Sequence, residues 1–287
     1  MTAVFLGYDR AALDRELNNR EKVADAPRWL ARYARESERA RGYLACRLDV
    51  AFGASPSERL DVFPAGAGPA PVHVFIHGGY WHRLDKADFS FVARGLVSAG
   101  VAVVVINYAL IPSVDMDELV RQCRAAIAWV WRHARGFGGD PERIFVSGHS
   151  AGGHLVGMLM STDWRAVAGL PPDALKAGCG ISGLYDLEPI RLSYLNEVLA
   201  LTPDVARRNS PCLLGPARSS PLLLAVGGDE GPEYHRQTDV QAAAWRARGF
   251  SVDVLDLPGH DHFSIMGELE RRDAPLTRAI LAQMGLR

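Results

Sequence analysis

Cysteine is scarce in this chain, and the four residues present, Cys46, Cys123, Cys179 and Cys212, form no C-x-x-C pair. That argues against a disulfide framework or a thiolate zinc site and for free, mostly buried thiols in a reducing compartment. A surplus of one charge is also missing: 32 Lys and Arg face 33 Asp and Glu, a formal net charge of −1. No basic surface for nucleic acid is implied. The longest apolar stretch, around 101–111, is well short of the roughly 20 residues a membrane span needs. The N-terminal "MTAVFLGYDRAALDRELNNR" meets Asp9 too soon to be a signal peptide. Internal repeats and low-complexity linkers are absent, so no domain boundary is placed within 1–287. The expectation is a cytoplasmic protein acting on a small molecule, with no nucleic-acid or membrane partner and with a homodimer as an open option.

What the chain does contain is apolar sequence, 48% of its 287 residues, enough to fill a large core. It is arranged as β-branched runs separated by helical patterns: "VHVFIH" (72–77), "VAVVVINY" (101–108), "RIFVSG" (143–148), "AGCGISG" (177–183), "PLLLAVGG" (221–228) and "VDVLDLPG" (252–259). Near-continuous apolar strands alternating with helices mean a mostly parallel sheet covered on both faces. Two earlier segments, "CRLDVAFG" and "ERLDVFPA", alternate polar and apolar residues and add an antiparallel edge, giving eight strands. Helices are expected over 84–99, 115–135, 152–162, 236–248 and 274–284 from apolar residues at three- and four-residue spacing. Residues 1–45, read as two polar helices, and the insertion 184–215 fall outside the alternation and are cap elements that could lie over the strand ends.

Chemistry concentrates at the ends of these runs. Gly148-His149-Ser150-Ala151-Gly152 is a G-x-S-x-G motif between an apolar strand and a helical run, the context of a nucleophile elbow. Side chains at the glycines would collide across the tight turn, and Ser150 would stand above the sheet at a helix N-terminus. A serine hydroxyl needs a base, and the base needs a carboxylate to fix its tautomer. Downstream, one strand ends in Asp229-Glu230 and the next in His260-Asp261-His262, at the C-terminal ends where open α/β sheets place their sites. Neighbouring side chains there point to opposite sides, so one of each pair can serve, and the residues alone leave the choice open. The H-x-H pair could be half a metal site, but no third ligand stands at a recognisable spacing, and His149 and His154 make no H-E-x-x-H helix. No metal and no cofactor are expected.

"HGGYW" (77–81) follows the strand 72–77. Glycine pairs let backbone N–H groups approach a ligand, and a tetrahedral acyl-transfer intermediate requires such donors. The expected oxyanion hole combines the N–H of Ala151 with that of Gly78 or Gly79. His77 is expected to brace the loop. Why two bulky aromatics follow the glycines is the less obvious matter; Tyr80 and Trp81 are read as pocket walls that narrow the acyl site and face an aromatic ring.

Taken together, "HGGYW", "GHSAGGH", "SGLYDLEPI", "GPEYHRQT" and "HDHFSIM" resemble the α/β-hydrolase-fold kynurenine formamidases and their bacterial esterase relatives, nearly end to end. That resemblance implies an α/β-hydrolase fold with a small helical cap, Ser150 as nucleophile, Gly78 and Gly79 in the oxyanion loop, and His262, directly before Phe263, as base. It also implies an acid three residues before the Glu of the "PEY" segment, which is Glu230, with Asp229 one place early. Tyr185 and Tyr194 are further pocket-wall candidates. The expected activity is hydrolysis of small-acyl aryl formamides; the alternatives are a short-chain carboxylesterase with the same triad and a non-catalytic binding protein on the same fold.

Overall fold

The computed structural model describes residues 2–66, 68–216, 218 and 220–286. The apolar runs form β1 (Arg47–Ala51), β2 (Arg59–Phe63), β3 (Ala70–Ile76), β4 (Ala102–Ile106), β5 (Gly139–His149), β6 (Ala177–Ile181), β7 (Leu222–Gly227) and β8 (Val252–Leu257). They make one eight-stranded sheet in the order β1-β2-β4-β3-β5-β6-β7-β8. The pairs β1–β2 and β2–β4 are antiparallel and all others parallel, as the sequence patterning anticipates.

Every residue of β3 and β4 is buried because the sheet is covered on both sides. Side chains alternate between faces along a strand. Val72, Val74 and Ile76 join Ala102, Val104 and Ile106 in one core, while Phe75, Val103 and Val105 enter the other. The helices Met116–His133, Ala151–Met160 and Pro232–Arg246 contribute to the first core. The second is filled from Ala26–Tyr43, Ala93–Val97 and Pro275–Gln283.

Three segments differ from expectation. The 84–99 stretch is a 3-10 helix, Lys86–Val92, followed by one short α-turn, Ala93–Val97. Phe89 and Val92 are both fully buried, and a three-residue turn places them on the same side. Residues before Tyr43 form three helices rather than two, Arg10–Leu17, Asn19–Lys22 and Ala26–Tyr43. The insertion breaks into Glu188–Arg191, Asn196–Leu199, Pro203–Arg208 and a 3-10 turn, Pro211–Leu213, punctuated by its prolines. These two caps are tied together, since the Tyr194 amide donates to Asp14 Oδ1 at 2.7 Å.

β3 and β5 are neighbours in the sheet, with Ile76 opposite Gly148. Chain order runs outward from them in opposite directions, toward β4 on one side and β6 on the other. A crevice opens at such a reversal beyond the strands' C-terminal ends, and both glycine-rich loops, 77–81 and 148–152, emerge there.

Candidate active site

Ser150 sits where β5 turns into the helix Ala151–Met160, with φ +57° and ψ −117°. A non-glycine residue with positive φ is strained, and its neighbours explain how the strain is held. A Cβ on Gly148 would lie 2.3 Å from the Gly152 carbonyl oxygen, and one on Gly152 would lie 2.1 Å from the Ile76 oxygen. Only glycine fits either place. The Ser150 amide donates to the Ile181 carbonyl at 2.8 Å, fixing the elbow to β6.

The Ser150 hydroxyl faces His262 Nε2 at 3.1 Å, and His262 Nδ1 faces Glu230 Oε2 at 2.7 Å. Since Nδ1–H donates to the carboxylate, Nε2 is left to accept the serine proton. Glu230 follows β7 and turns back onto it: Oε1 accepts from the Gly227 amide at 2.9 Å and from the Ser182 hydroxyl. The side chains of Glu230 and His262 are only 1% and 6% exposed, so the pair works in a low-dielectric setting where a charge partner counts for more than in water. The alternatives lie elsewhere. Asp229 is exposed, and His260 Nε2 is 3.5 Å from Glu268 Oε1 on the other side of the loop.

His149, the variable residue of the elbow, is fully enclosed and its Nε2–H donates to the His262 carbonyl at 2.8 Å. Burial, with the nearby His262, holds its pKa well below the usual histidine value. A neutral ring there supports the base without repelling an imidazolium 4.7 Å away between ring centres.

The loop 77–81 is the most strained part of the site, with φ of +108° at Gly79, +50° at Tyr80 and +60° at Trp81. Here the paired aromatics find their reason. Tyr80 donates to the Leu17 carbonyl at 2.7 Å and meets the Tyr234 hydroxyl at 2.8 Å. Trp81 donates from Nε1 to His154 Nδ1 at 3.1 Å, and its carbonyl accepts from the Ile111 amide at 2.9 Å. His77 Nδ1 pairs with the Gly78 carbonyl at 2.8 Å, bracing the loop as expected. Side-chain anchors thus over-determine a backbone that would otherwise relax.

A cavity of about 640 Å³, open to solvent, lies over Ser150. Gly79 and Tyr80 line it, together with Tyr33, Phe89, Tyr194 and Phe263. Gly78 packs behind, where a Cβ would meet the His149 carbonyl at 2.8 Å. Ala151 is buried at the head of the elbow helix. Two expected walls are not walls. Trp81 is completely buried in the core, and Tyr185, 1% exposed, fills the space beneath Gly180 and Gly183. Both aromatics face inward because the strained loop and the glycine-lined strand end leave room there.

Several residues at the site escape a motif reading. Tyr234 sets its ring 4.6 Å from that of His262 at a 49° tilt, and its hydroxyl is the one that meets Tyr80. Asn19 donates to it at 2.6 Å. Ser182 holds Glu230. Asn19 and Tyr234 are 215 positions apart, so no local spacing announces the pair.

Among the described residues no group of three or more His, Cys, Asp and Glu side chains is placed to hold a metal ion, and no helix is long and apolar enough to cross a membrane. Cys123, Cys179 and Cys212 are buried and Cys46 half-buried, all as free thiols.

The BD-FAE family matches residues 60–167, the stretch carrying both glycine-rich loops. Kynurenine formamidase from Salmo salar is 37% identical over 87% of this chain and 85% of its own length, and that from Danio rerio 36% over the same shares. A crystal structure from Silicibacter sp., described provisionally as a thioesterase, has a TM-score of 0.83 at 29% identity and covers 93% of this chain and 98% of that one. With its α/β-hydrolase fold and a hydrolase's relatives along most of its length, the chain belongs to the kynurenine formamidase family.

Proposed function

We propose that this hydrolase cleaves aryl formamides such as N-formylkynurenine through a formyl-enzyme on Ser150. The observation that carries the reading is the Ser150–His262–Glu230 chain opening into an aromatic-walled cavity that Tyr80 narrows beside Gly79. His262 Nε2 takes the serine proton as Oγ attacks the formyl carbon. The negative charge that develops on the carbonyl oxygen is met by the N–H of Ala151 and that of Gly78 or Gly79. The C–N bond breaks as His262 returns its proton to the aniline nitrogen, and Glu230 stabilises the imidazolium in between. Water, deprotonated by the same histidine, then releases formate and restores Ser150.

The same groups would act on short acyl esters, which makes a short-chain carboxylesterase the second reading. Discrimination is expected at the acyl side, where each misplaced methylene costs on the order of 1–3 kcal/mol. The test compares kcat/KM for N-formylkynurenine, p-nitrophenyl acetate and p-nitrophenyl octanoate. Efficient formamide turnover with octanoate far below acetate is expected. Strong octanoate hydrolysis with negligible formamide turnover would leave only an esterase. The four free thiols, three of them buried, support placing this activity in the reducing cytoplasm.

A further inference from the structure

Tyr80 and Tyr234 share a hydrogen bond of 2.8 Å between their hydroxyls, and their other partners decide which of them donates it. Each phenol has one proton. The Tyr80 proton is committed to the Leu17 carbonyl at 2.7 Å, an acceptor with no proton to give back. Tyr234 must therefore donate to Tyr80. Its own oxygen accepts from Asn19 Nδ2 at 2.6 Å, and the same amide reaches the Tyr80 oxygen at 3.5 Å. Polarity thus runs one way, from Asn19 through Tyr234 and Tyr80 to the backbone of the N-terminal helix Arg10–Leu17. Burial raises the pKa of both phenols above the ordinary tyrosine value, so both keep their protons near neutral pH.

The ends of this chain of bonds are anchored away from the reacting atoms. Leu17 closes one helix and Asn19 opens the next, Asn19–Lys22. Lys22 and Glu16, paired at 2.9 Å, lie against Gly231, where a Cβ would stand 1.9 Å from Lys22 Nζ and 2.1 Å from Glu16 Oε1. Glu16 also accepts from the Glu233 amide at 3.1 Å. The N-terminal segment is thereby seated on the first turn of Pro232–Arg246, the helix that carries Tyr234. The middle of the chain touches both halves of the catalytic machinery. Tyr80 stands at φ +50° directly after Gly79 in the oxyanion loop, and the rings of Tyr234 and His149 lie 4.6 Å and 4.7 Å from that of His262. Asn19, Tyr80 and His262 line the cavity. Tyr234 is fully buried behind them and touches no substrate.

We infer that Tyr234, oriented by Asn19, is a positioning residue that locks the oxyanion loop and the His262 imidazole into one arrangement for the tetrahedral state. A loop with two non-glycine residues at positive φ keeps its N–H groups aimed only while Tyr80 is fixed. A base serves only while its ring cannot swing away from the serine. One buried phenol meets both requirements. The inference rests on the Ser150–His262–Glu230 reading and holds whether the bond cleaved is a formamide or an ester.

The test follows hydrolysis of N-formylkynurenine and p-nitrophenyl acetate together with inhibition by phenylboronic acid. Its boron takes Ser150 Oγ as the serine proton passes to His262, giving a tetrahedral anion that resembles the intermediate. Tyr234→Phe keeps the ring and removes the donor to Tyr80. It should lower kcat by about 10- to 100-fold and weaken phenylboronic acid in step, with KM within about threefold of the unaltered enzyme. Asn19→Ala should give part of that loss and add nothing in the Tyr234→Phe background, since the two act in one chain. Tyr234→Leu, which also removes the ring beside His262, should lose more. Thr238→Val deletes another buried hydroxyl of the same helix, one that donates to the Tyr234 carbonyl at 3.0 Å; it should lower the melting temperature and leave kcat unchanged. A Tyr234→Phe kcat within about twofold of the unaltered enzyme, a loss carried by KM, an unmoved boronic acid affinity, additive losses, or an equal kcat loss in Thr238→Val overturns the inference. Should Tyr234→Phe not fold, Asn19→Ala leaves both phenols in place and decides by the same kcat and boronic acid readings. Acetate turnover impaired in Tyr234→Phe, with no formamide cleaved by the unaltered enzyme, supports the positioning role and removes the formamidase reading. Formamide turnover unimpaired in Tyr234→Phe does the reverse.

Discussion

Acidification from pH 7 to pH 5 should weaken this fold through its buried histidines. Burial lowers the pKa of His154 to about 4 and of His73 to about 3, against an ordinary 6.5. His154 gives Nε2–H to the Asn209 carbonyl at 2.7 Å and accepts the Trp81 N–H on Nδ1, so only the neutral ring satisfies both. Because the folded pKa lies below the unfolded one, the unfolded chain takes up the proton first. Stability is complete above pH 6.5 and is lost as pH falls from there toward 4 and 3. At pH 5 each of these rings contributes a loss of about 2 kcal/mol, or about 4 kcal/mol for the pair. His77 and His149 are lowered by the same burial and add in the same direction. The ion-paired carboxylates of Glu118, Asp117 and Asp49 are held below their ordinary values, so their effect begins at more acid pH. Urea unfolding at pH 7, 6 and 5 measures this directly. His154→Gln, neutral throughout, should remove about 2 kcal/mol of the pH dependence. A free energy of unfolding constant between pH 7 and 5, or a variant as pH-sensitive as the original, would refute the reasoning.

Ser150→Ala should lower kcat by about 10⁵ to 10⁶, seen in single-turnover assays, with unchanged circular dichroism. Glu230→Gln should damage kcat far more than Asp229→Asn, and His262→Ala far more than His260→Ala, because only Glu230 and His262 are in line with Ser150; equal losses within either pair would reassign the triad. Tyr80→Phe strips the Leu17 carbonyl of its donor and the Tyr234 hydroxyl of a partner. It should cost about 1–3 kcal/mol in thermal or urea unfolding and reduce kcat more than it raises KM, since the loop it anchors serves the transition state.

The covered parallel sheet was legible in the sequence because a strand buried on both faces must be apolar at nearly every position, as in "VAVVVINY", and eight such or edge-type runs account for all eight strands. The elbow was legible for an equally local reason: Gly148 and Gly152 answer to a collision within one turn. Adjacent alternatives were not decided at that level. Whether Asp229 or Glu230, His260 or His262 meets the serine depends on how β7 and β8 end against β6 and the 3-10 turn beyond, and only the Ser182 and Gly227 bonds to Glu230 show it. The aromatics of "HGGYW" were misjudged in part for the same reason. Chemistry makes any tyrosine or tryptophan beside a glycine loop a plausible wall, yet the hydroxyl of Tyr80 and the indole of Trp81 are committed to Leu17, Tyr234 and His154. Those partners are brought in by the N-terminal helix Arg10–Leu17, by the helix Pro232–Arg246 and by the elbow helix Ala151–Met160 itself. Local sequence determined which backbone shapes were required; the packing of distant segments decided which side chains could hold them, because a strained loop persists only where the whole fold supplies its anchors.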